Sequence, residues 1–151
     1  MLIRKIAYCT DFSQNAEIAF EAALETARKF DAKLTILHAL PPVVNPVLAD
    51  VDMMVPEESR ESLLLKLEQK MRDIYGSRIP DDIAYRIVVL DGHVSTEILQ
   101  YLSENNMDLV ILGAYGLSGV ELVLFGSVAK RIAHKAPCSV LIIREKQKIV
   151  S

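Results

Sequence analysis

The run Leu109-Val-Ile-Leu-Gly113-Ala-Tyr-Gly116-Leu-Ser-Gly119-Val-Glu-Leu-Val-Leu-Phe-Gly126-Ser127 decides the fold of this chain. Its first four residues are apolar on both faces, as a strand buried in a parallel sheet is. Glycines follow at once, where a backbone turns sharply or approaches a ligand closely. Gly126-Ser127 then opens a helix that Pro137 ends. A hydropathy scan would mislead here, because Leu109 to Ala129 spans 21 residues with one charge, Glu121. The glycines, with Asp108 and Lys130 at the borders, favour strand, glycine loop and helix start over a membrane span.

Outward from that segment, strands alternate with helices. Ile3–Cys9 reads as the first strand, and Ser13 as the N-cap of a helix through Phe30 with Ala16, Ala19, Phe20, Ala23, Leu24 and Ala27 at helical spacing. Leu34–Leu40 is the second strand. Residues 57–76 carry Leu63, Leu64, Leu67, Met71 and Ile74 on one helical face, and Gly76 stops that helix. Ile83–Leu90 is the third strand, whose Tyr85 and Arg86 suit a sheet edge. A short helix near Ser95–Asn105 turns Ile98, Leu99 and Leu102 inward, and Val140–Ile143 is a fifth strand. Strict alternation of this kind predicts an α/β chain with a parallel sheet covered by helices on both faces. Residues 41–56, with four of the six prolines, form a long irregular loop of the kind that is functional or mobile.

The 151 residues fit one domain, 1–151, able to bury a core without a disulfide or metal staple. Seventeen basic against twenty acidic residues give a net charge of -3. A negative chain lacks the footprint that phosphate-backbone binding requires, so nucleic acid is excluded as the default partner. Cys9 and Cys138 form no CxxC pair and read as free thiols in a reducing cytoplasm. The amino-terminal run reaches Asp11 too early for the apolar region of a secretion signal.

Glycines at a strand end bring backbone N–H groups toward an anion, and a helix start adds free N–H groups and a positive dipole end. Tight turning alone would explain the same glycines equally well. The spacing Gly113-x2-Gly116-x9-Gly126-Ser127 resembles the nucleotide-binding pattern of the universal stress protein family, in its ATP-binding branch. The likeness continues in Tyr8-Cys-Thr-Asp11-Phe-Ser13, in Ile36-Leu-His-Ala39 and in the closing run from Ala136-Pro-Cys to Arg144, so that it covers essentially the whole chain. It implies an open five-stranded sheet of order 3-2-1-4-5, the adenine nucleotide alpha hydrolase-like arrangement. ATP would then lie across the carboxyl ends of the first and fourth strands, where crossovers change direction and leave a crevice.

Carried over residue by residue, the resemblance implies that Asp11 faces the nucleoside with Thr10 beside it. Ala39 lines the adenine slot through its backbone. Gly113, Gly116, Gly126 and Ser127 hold ribose and phosphates, while Val128 and Ala129 supply helix-start amides. ATP, AMP or ADP is the implied ligand, and Mg²⁺ can accompany it through Asp11. Cys9 departs from the family's proline or small aliphatic residue, and Ala114-Tyr115 stand where polar or basic residues are frequent. The second departure bears on preference for ATP over AMP.

Among the remaining residues, His38 reads as a packed, hydrogen-bonded histidine, His93 as exposed, and Lys130 and Arg131 as a solvated face. The histidines show no metal-ligand spacing. Asp91 follows the third strand, as a phosphoacceptor would. A receiver domain, however, also needs an acidic pair after the first strand, Ser or Thr after the fourth and Lys after the fifth, and the chain offers Asp11, Gly113-Ala114 and Arg144 instead. Walker and dehydrogenase fingerprints are missing.

The expected function is adenine-nucleotide binding with regulatory consequence, without fast catalysis, since no base is paired with Asp11. The alternatives are a slow ATPase or phosphotransferase, and a nucleotide-free interaction module. No membrane partner is expected. An apolar fifth strand at a sheet edge is a pairing hazard that a homodimer through Val140 to Ile143 would relieve, as the family resemblance also implies.

Overall fold

The computed structural model describes residues 2–42, 57–114 and 126–146. Five strands, β1 (Lys5–Cys9), β2 (Lys33–Leu40), β3 (Tyr85–Asp91), β4 (Leu109–Gly113) and β5 (Ser139–Ile143), form one parallel sheet of order β3-β2-β1-β4-β5. Helices α1 (Gln14–Phe30), α2 (Glu57–Tyr75), α3 (Val94–Glu104) and α4 (Ser127–Lys135) connect them. The expected order and architecture are therefore present.

Alternation along the strands divides the core in two. Ile6, Tyr8, Leu34, Ile36 and Ile111 pack with Phe20 and Ala23 of α1 and with Met71 and Tyr75 of α2. Ala7, Cys9, Leu37, Ala39, Val110 and Leu112 face the other way, toward Ile98 and Leu102 of α3 and Ala129 and Ile132 of α4. Small residues on the inner face of α1 let it lie close against the sheet. Its start is set by Ser13, whose Oγ accepts the Ala16 N–H at 3.2 Å, and its end by Asp31 in the left-handed conformation.

Several boundaries shift from the sequence expectation. β1 starts at Lys5, not Ile3, and β3 at Tyr85, not Ile83. Ile83 is buried, but its N–H closes a turn on Pro80 O at 3.0 Å, so it joins the core without joining the ladder. On α2 the expected face holds for Met71, whereas Leu63 is exposed and Tyr75, not on the expected face, is buried beside Met71. β5 is apolar, yet as the last strand it leaves Leu141 38% exposed. No helix among the described residues is long and apolar enough to cross a membrane. Most of the 41–56 loop, residues 43–56, lies outside the described residues, as do Tyr115, Gly116 and Gly119.

Candidate functional site

β1 ends in the middle of the sheet, between β2 and β4, and the segment after it is held by a dense set of local bonds. Thr10 N–H donates to Leu37 O at 2.9 Å, and Thr10 Oγ1 shares a 2.5 Å hydrogen bond with Tyr75 Oη while accepting the Phe12 N–H at 3.0 Å. Phe12 adopts φ 65°, a left-handed conformation rare for a bulky residue and found where surrounding contacts enforce it. Its ring lies 4.6 Å from His38 and stacks toward Tyr75 at 6.4 Å, with Lys70 Nζ 4.1 Å above it. Asp11 Oδ1 accepts the Ser13 N–H at 2.9 Å, which fixes the carboxylate at the mouth of the turn. Oδ2 has no partner among the described residues and is the atom available to a ligand or a cation. The α2 residues Lys70 and Tyr75 escaped sequence reading because only the tertiary fold brings them to Phe12.

β2 runs past the end of β1. Ladder bonds fix which way each of its residues faces: Lys33 N–H reaches Arg4 O and Leu37 O receives Thr10 N–H, so odd-numbered residues turn to β1. Leu34 N–H and Leu40 O bond to Ala84 and Gly92 on the opposite side. Ala39 therefore directs its N–H and C=O to the β1 side, one rung beyond the last β1–β2 hydrogen bond. Neither group has a partner among the described residues, although Ala39 is only 4% exposed. A buried backbone donor left unmet costs about 1–3 kcal/mol, so such a pair at a strand end is open to water or to a ligand that offers an acceptor beside a donor. An N–H beside a C=O matches the acceptor and donor on one edge of an adenine ring.

On the other flank Gly113 closes β4 against α1. A Cβ there would stand 2.8 Å from Asn15 O and 2.9 Å from Asn15 C, so only glycine fits. Ala114 N–H donates to Ile143 O at 3.0 Å, and Gly126 N–H returns to Ala114 O at 2.7 Å. This last bond seats the start of α4 beside the end of β4. Gly126, extended at φ -62° and ψ 156°, caps α4 without a side chain. The first-turn N–H groups of Ser127, Val128 and Ala129 have no intrahelical acceptor, as at any helix start. Ser127 is exposed, and Ala129 is buried in the same core layer as Ala39. The described sequence-singled residues Thr10, Asp11, Ala39, Gly113, Gly126, Ser127, Val128 and Ala129 thus gather at the carboxyl end of the sheet; Gly116 is outside the described residues.

The titratable groups nearby are tuned chiefly by burial. It holds the His38 imidazole below its ordinary value, against the opposing effects of the Thr10 hydrogen bond and the Asp11 charge. His38 Nδ1–H donates to Thr10 O at 2.8 Å, so this histidine is packed and hydrogen-bonded as expected, and His93 is exposed. Burial pushes the Cys9 thiol up to about 12, with Cys138 nearby adding to the rise, so it stays protonated at neutral pH. Asp91, the residue that resembled a phosphoacceptor, is committed to Arg60. Arg60 Nε donates to Asp91 Oδ1 at 2.9 Å, and Nη2 reaches Leu40 O and Pro41 O at 3.2 Å each, clasping the ends of β2 and β3 to α2. Lys130 and Arg131 are exposed. Among the described residues no group of three or more His, Cys, Asp or Glu is placed to hold a metal ion. A cation there would have to be shared between Asp11 and a ligand's own oxygens.

Comparison with known proteins agrees with this architecture. The chain is 29% identical over 153 residues to universal stress protein MJ0531 of Methanocaldococcus jannaschii, an alignment covering 97% of this chain and 85% of the relative. To the putative universal stress protein SH1215 of Staphylococcus haemolyticus it is 32% identical over 147 residues, 95% and 86% of the two chains. Among solved structures, the hypothetical protein MJ0577 superposes with a TM-score of 0.77 at 23% identity, covering 98% of this chain and all of that one. A universal stress protein in complex with cAMP superposes at 0.64 and 25% identity over 97% and 100% of the chains. One from Archaeoglobus fulgidus in complex with dAMP does so at 0.59 and 20% over 95% and 100%. The pattern of the universal stress protein family itself matches residues 2–144, and with the sheet order and the sequence relatives in agreement, the chain belongs to that family.

Proposed function

We propose that this protein binds an adenine nucleotide at the carboxyl ends of β1 and β4 and acts through that binding instead of through rapid turnover. The observation that carries the reading is the N–H and C=O of Ala39, without a partner among the described residues, buried and directed into the gap that β1 leaves. Adenine would take that pair, the ribose would lie toward Asp11 and Gly113, and the phosphates would meet the start of α4 with Gly116, Gly126 and Ser127. The ligand of this reading is ATP, ADP or AMP, and Asp11 is the residue that would hold a Mg²⁺ accompanying the phosphates, where the ion would offset their charge. The universal stress protein crystallised with cAMP lends support, since an adenine nucleotide occupies a relative at 25% identity. Among the described residues no side-chain acid or base is hydrogen-bonded to Asp11, which argues for slow hydrolysis at most.

The test begins with mass analysis of whatever the purified protein releases on denaturation, followed by calorimetric titration with ATP, AMP and adenosine. Ser127→Asp puts a carboxylate where a helix start favours it, so thermal stability holds. The same charge repels phosphate, so ATP affinity falls about tenfold or more while adenosine affinity stays within about twofold. An equal loss for both ligands, or a wild-type protein that binds neither, would remove the reading.

A homodimer paired along β5 is the assembly proposed with it. Its support is the edge position of Ser139–Ile143 and the exposure of Leu141. Equilibrium sedimentation at micromolar concentration, compared with Leu141→Lys, should give a dimer for the parent and a monomer for the variant.

A further inference from the structure

The β1–β2 ladder stops one rung early, and His38 is the residue that lets it stop. Odd-numbered residues of β2 face β1, and the sequence of rungs ends with Thr10 N–H to Leu37 O at 2.9 Å. The next rung would run from Ala39 N–H to Thr10 O. In its place Thr10 O accepts the Nδ1–H of His38 at 2.8 Å. A carbonyl at a strand end needs a donor, and here a side chain supplies it, so the backbone has no need to close the rung.

The imidazole is held for that task. Phe12 lies against it with ring centroids 4.6 Å apart, and Phe12 is fixed by its own bond to Thr10 Oγ1 at 3.0 Å and by Lys70 above its ring. Thr10 Oγ1 is tied in turn to Tyr75. Every polar group of Thr10 is therefore occupied by a residue other than Ala39. We propose that His38 is a positioning residue of the binding site: by taking the Thr10 carbonyl it withholds that acceptor from Ala39 and keeps the Ala39 N–H free for a ligand. Identifying that ligand as an adenine nucleotide rests on the function proposed above. The role of His38 in the apo protein does not.

Two variants separate the donor from the ring. In His38→Asn, Nδ2 stands one bond from Cγ, as Nδ1 does in histidine, and retains a donor to Thr10 O. His38→Leu removes it. The primary readout is the through-hydrogen-bond NMR coupling between Ala39 N and Thr10 C′, with the exchange rate of the Ala39 amide, both without ligand. Wild type and His38→Asn should lack the coupling and exchange at similar rates. His38→Leu should gain it and exchange about tenfold more slowly. Titration with AMP should then lose about tenfold in affinity for His38→Leu and stay within about threefold for His38→Asn. A coupling already present in the wild type would overturn the proposal, and so would a His38→Leu protein whose Ala39 amide behaves as the parent's does. Should His38→Leu fail to fold, the wild-type coupling and the His38→Asn exchange rate still decide. The expected NMR pattern with no AMP binding by the wild type would support the role of His38 and remove the nucleotide reading alone.

Discussion

Asn15 stands where a side chain on Gly113 would have to go: a Cβ built on that glycine falls 2.8 Å from the Asn15 carbonyl oxygen. The obstacle is backbone at the start of α1, which cannot swing aside as a side-chain tip can. Gly113 thus lets the end of β4 pack directly against the start of α1. Gly113→Ala should destabilise the protein by about 1–3 kcal/mol, measured as a shift in the urea midpoint at constant slope. Gly76→Ala is the control, since its Cβ meets only the hydroxyl of the half-exposed Tyr85 at 3.1 Å. It should stay within about 0.5 kcal/mol of the parent. Equal effects at the two positions would show that the Asn15 contact is not what restricts Gly113.

Ser13 both caps α1 and closes the Asp11 turn. Ser13→Ala removes the acceptor for Ala16 N–H and should cost about 1 kcal/mol, whereas Ser13→Asp should restore most of it. Thermal unfolding of the pair distinguishes a cap from a packing role, because only a cap is rescued by aspartate.

Thr10 and Tyr75 share a buried hydrogen bond across two elements. Thr10→Val removes the hydroxyl partner of Tyr75 and the acceptor of the Phe12 N–H, and should cost about 1–3 kcal/mol. Tyr75→Phe should cost less, since Thr10 Oγ1 keeps its bond from Phe12. A double-mutant cycle with a coupling energy near zero would show the two hydroxyls to be independent.

Stability should also report on His38. Burial lowers its pKa in the folded protein below the 6.5 of the unfolded chain. Between those two values the unfolded chain binds a proton that the folded chain refuses, so stability falls as pH drops through 6.5, and the loss is complete below the folded value. His38→Asn should flatten that part of the profile. Urea unfolding across the window, parent against variant, makes the comparison.

The two thiols should react in a fixed order. Cys9 is buried, with its pKa pushed up to about 12, while Cys138 is only partly buried. A maleimide added at neutral pH should label Cys138 first and Cys9 only once denaturant is present. Peptide mass mapping reads the order, and early labelling of Cys9 would contradict the packing of β1 against α3 and α4.

What the sequence could convey about this fold was mostly local. Apolar runs, Ser13, Gly76 and Pro137 carry their signal in their own neighbourhoods, and the elements they delimit lie where expected. The sheet order is implied by the family resemblance, and the structure has the same order. Non-local relationships were harder to read. Phe12 looks like any aromatic residue until the fold holds it at φ 65° between His38 and Tyr75. Ala39 was singled out through resemblance, but the direction of its backbone groups depends on the register of β2 between β1 and β3, which no single segment encodes. The apolar residues of β5 looked like an interior strand because hydropathy does not distinguish a strand flanked on both sides from one at an edge.

The hydrogen bond from Gly126 N–H to Ala114 O has a bearing on how this protein can change. It brings together the two points between which residues 115–125 are strung, so their separation is set by the scaffold. The entropy of closing such a segment grows only logarithmically with its length, and doubling it costs about 0.6 kcal/mol. Lengthening the connection between Ala114 and Gly126 is therefore cheap for the fold. The length of that connection can in this way drift while stability stays nearly constant, because the bond that seats α4 beside β4 is kept.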